Sequence, residues 1–131
     1  MLRKRKTQRF IIPPLQPLRI PSGWTIELND LYEVDPSFER GEDTHWNFKA
    51  DMLHLTNNRG VEVWLDWLPE HRRTGRFILR VMRSGPLMPP LRSLCTRSRV
   101  KVVKALEGWL QWYADNDPPP PRDKRTGRPK R

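Results

Sequence analysis

The chain is short of the residues from which most catalytic and metal sites are built. Cys95 is the one cysteine in 131 residues, which excludes an intramolecular disulfide. His45, His54 and His71 complete the set of soft ligands, at intervals of 9, 17 and 24 residues on the way to Cys95. Those spacings match no common zinc arrangement, so neither a metal nor another cofactor is expected. Seven glycines form no phosphate-cradling loop, and no serine stands in a nucleophile elbow, so an enzyme is not expected. No run reaches the roughly 18 apolar residues of a membrane span, and no membrane role is expected. The opening MLRKRKTQRF is charged like the start of a signal peptide, but prolines interrupt the IIPPLQPLRIP that follows. A lone thiol without a signal sequence points to a reducing, cytoplasmic setting.

What the chain does have is positive charge, a formal +10, and it lies at the ends. Residues 1–9 carry Arg3, Lys4, Arg5, Lys6 and Arg9, a net of +5. Residues 122–131 carry Arg122, Lys124, Arg125, Arg128, Lys130 and Arg131 against Asp123, again +5. Between 10 and 121 stand 14 basic and 14 acidic residues. Basic ends on a neutral body have the character of nucleic-acid-binding arms. The blander alternative is a pair of solvated tails. The middle is itself polarised. Residues 27–43 have a net of −6, whereas residues 71–104 hold ten arginines and lysines and no acid. Either the two blocks neutralise each other in the fold, or they offer one acidic and one basic face to partners.

Hydrophobic periodicity divides the chain into a basic, proline-rich arm (1–21), a domain (22–117), and a polyproline spacer with a basic tail (118–131). Trp24, Ile26 and Leu28 alternate with polar residues, the period of a half-buried strand, and Leu31–Val34 is read as its continuation across a bulge. Met52–Thr56 predicts a second strand. Asn57-Asn58-Arg59-Gly60 is a hairpin turn, because Asn and Gly tolerate the positive φ it needs. Val61, Val63, Leu65 and Trp67 predict a third strand, and Phe77, Leu79 and Val81 a fourth. Residues 84–96, with Gly85, Pro86, Pro89 and Pro90, read as a loop. From Arg99 to Ala114 the spacing of Val103, Leu106, Leu110 and Tyr113 is helical, with Ser98 as N-cap. The expected fold is α+β, a three- to four-stranded antiparallel sheet covered by one C-terminal helix, with extended tails. Trp64, Ile78 and Met82 then face away from the helix and need another cover: the proline arm, a second copy or a target.

Three features are candidates for chemistry. Glu62 and Asp66 share a strand face, which suits acid–base work but more often marks a solvated surface. Cys95 precedes a helix start, where the dipole and nearby cations favour a thiolate, although a plain cysteine is the commoner case. Arg97, Arg99 and Lys101 crowd the positive end of the helix dipole, an arrangement that a phosphate held with Ser98 and the free amides would relieve. Acidic residues of 27–43 could supply the same compensation. The six tryptophans, interleaved with arginine, suit base stacking, and core packing explains them as well.

The tail Lys124-Arg125-Thr126-Gly127-Arg128-Pro129-Lys130-Arg131 resembles an AT-hook through Gly127-Arg128-Pro129, with Thr126 in the place of the first arginine. That resemblance implies an extended segment in a narrow minor groove. Over residues 20–113, the runs IPSGWTIELNDLYEVD, GVEVWLDWLPE and SRVKVVKALEGWL are similar to a small bacterial family of uncharacterised proteins, which implies a compact bacterial domain and no particular activity. The expected function is a non-enzymatic, nucleic-acid-associated accessory protein. Its contacts would come from Arg3, Lys4, Arg5, Lys6 and Arg9, from Arg97, Ser98, Arg99 and Lys101, and from Lys124, Arg125, Arg128, Lys130 and Arg131. The rivals are a protein-binding module of the immunity-protein type, using segment 27–43 and the exposed sheet face, and a structural subunit with threading arms.

Overall fold

The computed structural model describes residues 12–36, 45–85 and 88–120. Five strands form one antiparallel sheet in chain order: β1 (Trp24–Asn29), β2 (Leu53–Asn57), β3 (Val61–Leu68), β4 (Arg76–Arg83) and β5 (Arg92–Thr96). A short 3-10 turn (His45–Asn47) precedes β2, and a single helix, α1 (Arg99–Asp115), follows β5. The architecture is therefore α+β with one C-terminal helix, as expected, but the sheet has five strands rather than three or four.

The central strands form where alternation is strictest. Val61, Val63, Leu65 and Trp67 of β3 are all buried, and cross-strand pairing sets Val63 opposite Val81, Leu65 opposite Leu79 and Trp67 opposite Phe77. Leu53 and Leu55 of β2 lie on the same face, opposite Leu65 and Val63. Helix residues Val102, Leu106, Leu110 and Tyr113 close that face with an i, i+4, i+8, i+11 stripe. The Asn57–Gly60 hairpin forms as its residues predict: Asn57 Oδ1 accepts the amides of Arg59 and Val61, and Gly60 takes φ +75°. Asn57 also donates through Nδ2 to the Tyr113 carbonyl, which ties the hairpin to the helix end.

Two strand readings are corrected. The segment read as a loop, 84–96, contains β5, paired with β4 from Phe77↔Thr96 to Val81↔Arg92. Its signal was weak because an edge strand over a helix buries little: Leu94 alone of its five residues packs against the core. In β1 the register shifts between Ile26 and Leu28. The bulge turns Leu28 to the face of its partner His54, away from Ile26, and leaves Ile26 half-exposed on an edge strand. Beyond it, Leu31–Val34 does not continue the strand; Tyr32 makes an isolated bridge with Leu15.

That bridge belongs to the proline-rich arm, whose described part lies along the domain. Gln16 N–H donates to the Leu31 carbonyl and Glu33 N–H to the Pro14 carbonyl, each at 2.8 Å. Leu18 and Ile20 pack against the core, and Arg19 N–H donates to Glu107 of the helix at 2.6 Å.

One contact closes the β3–β4 loop. The Trp67 indole is buried, and its Nε1–H donates to the Arg72 carbonyl at 3.0 Å. Gly75 lies so close that a Cβ there would stand 2.1 Å from Trp67 Nε1. A Gly75→Ala protein must push either the ring or the loop aside, and overpacking of this kind costs about 1–3 kcal/mol. A lower urea midpoint, corresponding to an unfolding free energy reduced by that amount, is the expected result; an unchanged midpoint would show that the loop yields freely.

Candidate nucleic-acid interface

The loop closed over Trp67 carries Arg72 and Arg73, Arg76 begins β4 directly after it, and Arg97 fastens the loop to the start of the helix. Arg97 Nη1 donates to the carbonyls of Arg73 and Gly75, both at 2.6 Å, and its guanidinium lies 5.4 Å from the centre of the Trp67 ring. The Phe77↔Thr96 pair brings Arg76 and Arg97 to the same end of the sheet. Cations some 25 residues apart in sequence thus share one edge of the molecule, the cause being the β4–β5 register and one bifurcated arginine.

The four residues proposed at the helix start differ in what they do. Ser98 is the N-cap, its Oγ accepting the Lys101 amide at 3.2 Å. Arg97 holds the loop. Arg99 pairs with Asp35 at 3.0 Å and donates to the Gln16 side chain, so the acidic segment does supply part of the compensation. Lys101 is exposed. The acidic and basic blocks therefore meet at Arg99–Asp35, and Arg80 of the basic block pairs with Asp66 at 2.9 Å. Arg72, Arg76, Lys101 and Lys104 are exposed, and their side chains make no hydrogen bond or ion pair among the described residues. Sequence reasoning placed Arg72, Arg73 and Arg76 in the acid-free block but not in the site. Only the pairing of β4 with β5 brings them to it.

The tail residues Arg3, Lys4, Arg5, Lys6, Arg9, Lys124, Arg125, Arg128, Lys130 and Arg131, and with them the AT-hook-like run, lie outside the described residues. So does the part of the acidic segment from 37 to 44.

The face of the sheet opposite the helix holds a second polar arrangement. His54 stacks on Trp64 with ring centres 3.5 Å apart and pairs with Glu62 at 2.8 Å. Asp66 is buried, accepting the Asp51 amide at 2.7 Å as well as the Arg80 guanidinium. Glu62 and Asp66 share a face as expected, yet neither is a free carboxylate on a solvated surface. Each is engaged, one by a cross-strand histidine and the other by an arginine and a backbone amide. Trp64, Ile78 and Met82 are half-buried on this face. Cys95 is exposed on β5 rather than set against the helix amides. Among the described residues no group of three or more His, Cys, Asp or Glu side chains could hold a metal, and no helix is long and apolar enough to cross a membrane.

No family model, curated protein or solved structure matches the chain.

The Arg97 contacts predict that Arg97→Ala lowers stability by about 2 kcal/mol, since hydrogen bonds from a charged donor contribute about 1.5–3 kcal/mol. Arg97→Lys recovers only part of that, because an ammonium lacks the planar fork that spans two carbonyls. Denaturant unfolding of the two variants checks this, and equal stability of Arg97→Ala and the parent would remove Arg97 as the fastener.

Proposed function

We propose that this is a non-enzymatic nucleic-acid-associated binding protein, held to the phosphate backbone by its basic tails and by the cationic edge formed by the β3–β4 loop and the helix start. The observation that supports the reading is the fastening of the β3–β4 loop to the helix start by Arg97, in a region where Arg72, Arg76 and Lys101 are exposed and without an ion-pair partner among the described residues. Exposed, unneutralised cations on a firmly held surface suit non-specific phosphate contact. Such contact needs no sequence motif, because its driving force is release of counterions from the nucleic acid. In this reading Arg97 and Ser98 position the edge, Arg99 is shared with Asp35, and Lys101 touches phosphate. The tails would add affinity through Arg3 to Arg9 and Lys124 to Arg131.

The sheet face away from the helix favours a second reading, a protein-binding module. Half-buried Trp64, Ile78 and Met82 stand on the same face as the His54–Glu62 and Asp66–Arg80 pairs, a mixture typical of the centre and rim of protein interfaces. The two readings separate by salt. Neutralising about five to eight phosphates gives a log–log slope of affinity against salt of roughly −4 to −7 on duplex DNA.

The test is a salt titration of the full chain on mixed-sequence duplex DNA and on single-stranded RNA, alongside the triple variant Arg72→Gln, Arg76→Gln, Lys101→Gln. The parent is expected to show that slope, and the variant a slope shallower by about 2 to 3, at about 0.9 per lost phosphate contact. If the variant matches the parent, the tails alone carry the contact and the edge has no part in it. If the parent binds neither nucleic acid at low salt, the protein-binding reading takes its place.

A further inference from the structure

The helix has a second stripe, of which only Ala105 and Trp109 pack partly against the core. Lys101, Lys104, Ala105, Gly108 and Trp109 face Leu94 of β5 across an open groove of about 410 Å³. Trp112, 51% exposed, continues the stripe one turn further. The sequence marked Trp112 as lying off the packing face of the helix, and the groove is where that off-axis surface leads.

Three independent features point to an occupant. Gly108 stands in the middle of a 17-residue helix, where glycine is among the poorest residues. The other described glycines have local reasons: Gly23, Gly60 and Gly85 take positive φ, and Gly75 lies against Trp67. Gly108 has neither, since a Cβ there would meet nothing within 4 Å. Nothing among the described residues asks for its smallness. The second feature is β5, an outer strand of the sheet that runs beside the groove. Such an edge can template a further strand. The third is charge. Lys101 and Lys104 stand at the end nearer the helix start. At the other end the Arg92 guanidinium lies 5.8 Å from the Trp112 ring centre. Among the described residues no carboxylate lines the groove between them.

We propose that the groove takes an extended segment of a partner protein. The segment pairs with β5 as a sixth strand, lays apolar side chains over Gly108 and Ala105, and presents acidic side chains to the lysines and to Arg92. This is recognition by strand addition, with main-chain pairing for affinity and alternate side chains for selection. The charge argues against a second copy of the chain as occupant, because joining two β5 edges would set these cations against one another with no acid between them. The surface differs from the loop edge in all but Lys101, so either proposal can fail without the other.

The probe is the peptide Ac-Glu-Thr-Val-Thr-Val-Thr-Glu-NH2, whose alternation puts Glu, Val, Val and Glu on one face. It is titrated into the full chain while backbone amides and tryptophan indoles are followed by NMR. Shifts concentrated at Leu94, Cys95, Gly108 and the Trp109 indole are expected. The counterpart with both Glu replaced by Lys should bind at least tenfold more weakly, and so should the peptide N-methylated at its valines. Gly108→Leu should weaken the Glu peptide tenfold or more without lowering the melting temperature, and should leave the salt slope on DNA unchanged. If that variant does not fold, the surface variant Lys101→Glu, Lys104→Glu serves instead, with preference for the Lys peptide expected. Equal binding of the Glu and Lys peptides, shifts confined to the sheet face around Trp64, or no binding at millimolar peptide would each overturn the proposal. Concentration-dependent shifts at the same amides without peptide would assign the groove to a second copy and overturn it too.

Discussion

Much of this molecule depends on how one tryptophan is buried. Trp67 ends the inward row of β3, and burying it leaves an indole N–H that must find an acceptor in the interior. The acceptor is the Arg72 carbonyl, so the chain has to double back over the ring, and only a glycine at position 75 can lie against it. The folded-back loop then turns the Arg73 and Gly75 carbonyls toward Arg97, which bonds both and also covers the ring. The loop arginines are therefore held by a core residue, and a surface that looks like a charged loop has a rigid base.

Polarised charge along the chain has only partly been neutralised by folding. Asp35 reaches Arg99, and Asp30 reaches Lys49, a lysine outside the basic block. Arg80 finds Asp66 within the sheet. These pairs satisfy the cations that lie against the body of the domain. Arg72, Arg76, Lys101 and Lys104 are exposed, and water solvates them. Exposed pairs add little to stability, so leaving these four without an ion pair among the described residues costs the fold little.

The helix serves two surfaces at once. Its strongest stripe goes into the sheet, and the arm crosses near Glu107 on one side. On the other side the five-residue β5 and the small residues Ala105 and Gly108 leave a gap instead of a seam. A bulkier residue at Gly108 would begin to fill that gap with the helix's own atoms. The glycine keeps the groove open at a cost in helix propensity.

The alternation of Val61 to Trp67 and of Phe77 to Val81, the Asn-Asn-Arg-Gly turn and the Ser98-capped helix were all legible in the sequence, because each follows from local periodicity or local backbone preference. β5 was not, because an edge strand that buries one side chain leaves almost no pattern. The bulge in β1 was misplaced for a related reason: a one-residue shift in pairing is set by the neighbouring strand, and the alternation of Trp24, Ile26 and Leu28 does not record it. Of the candidate site, the cations themselves and the cap were visible. What the sequence determined by itself is the α+β class, the central strands, the helix and the uneven charge, since those depend on residues near one another in the chain. Only the tertiary structure decided which cations share an edge, which are engaged by Asp35 and Asp66, and where the groove opens. Those outcomes depend on strand register and on contacts between residues far apart in the chain, and periodicity carries no information about either.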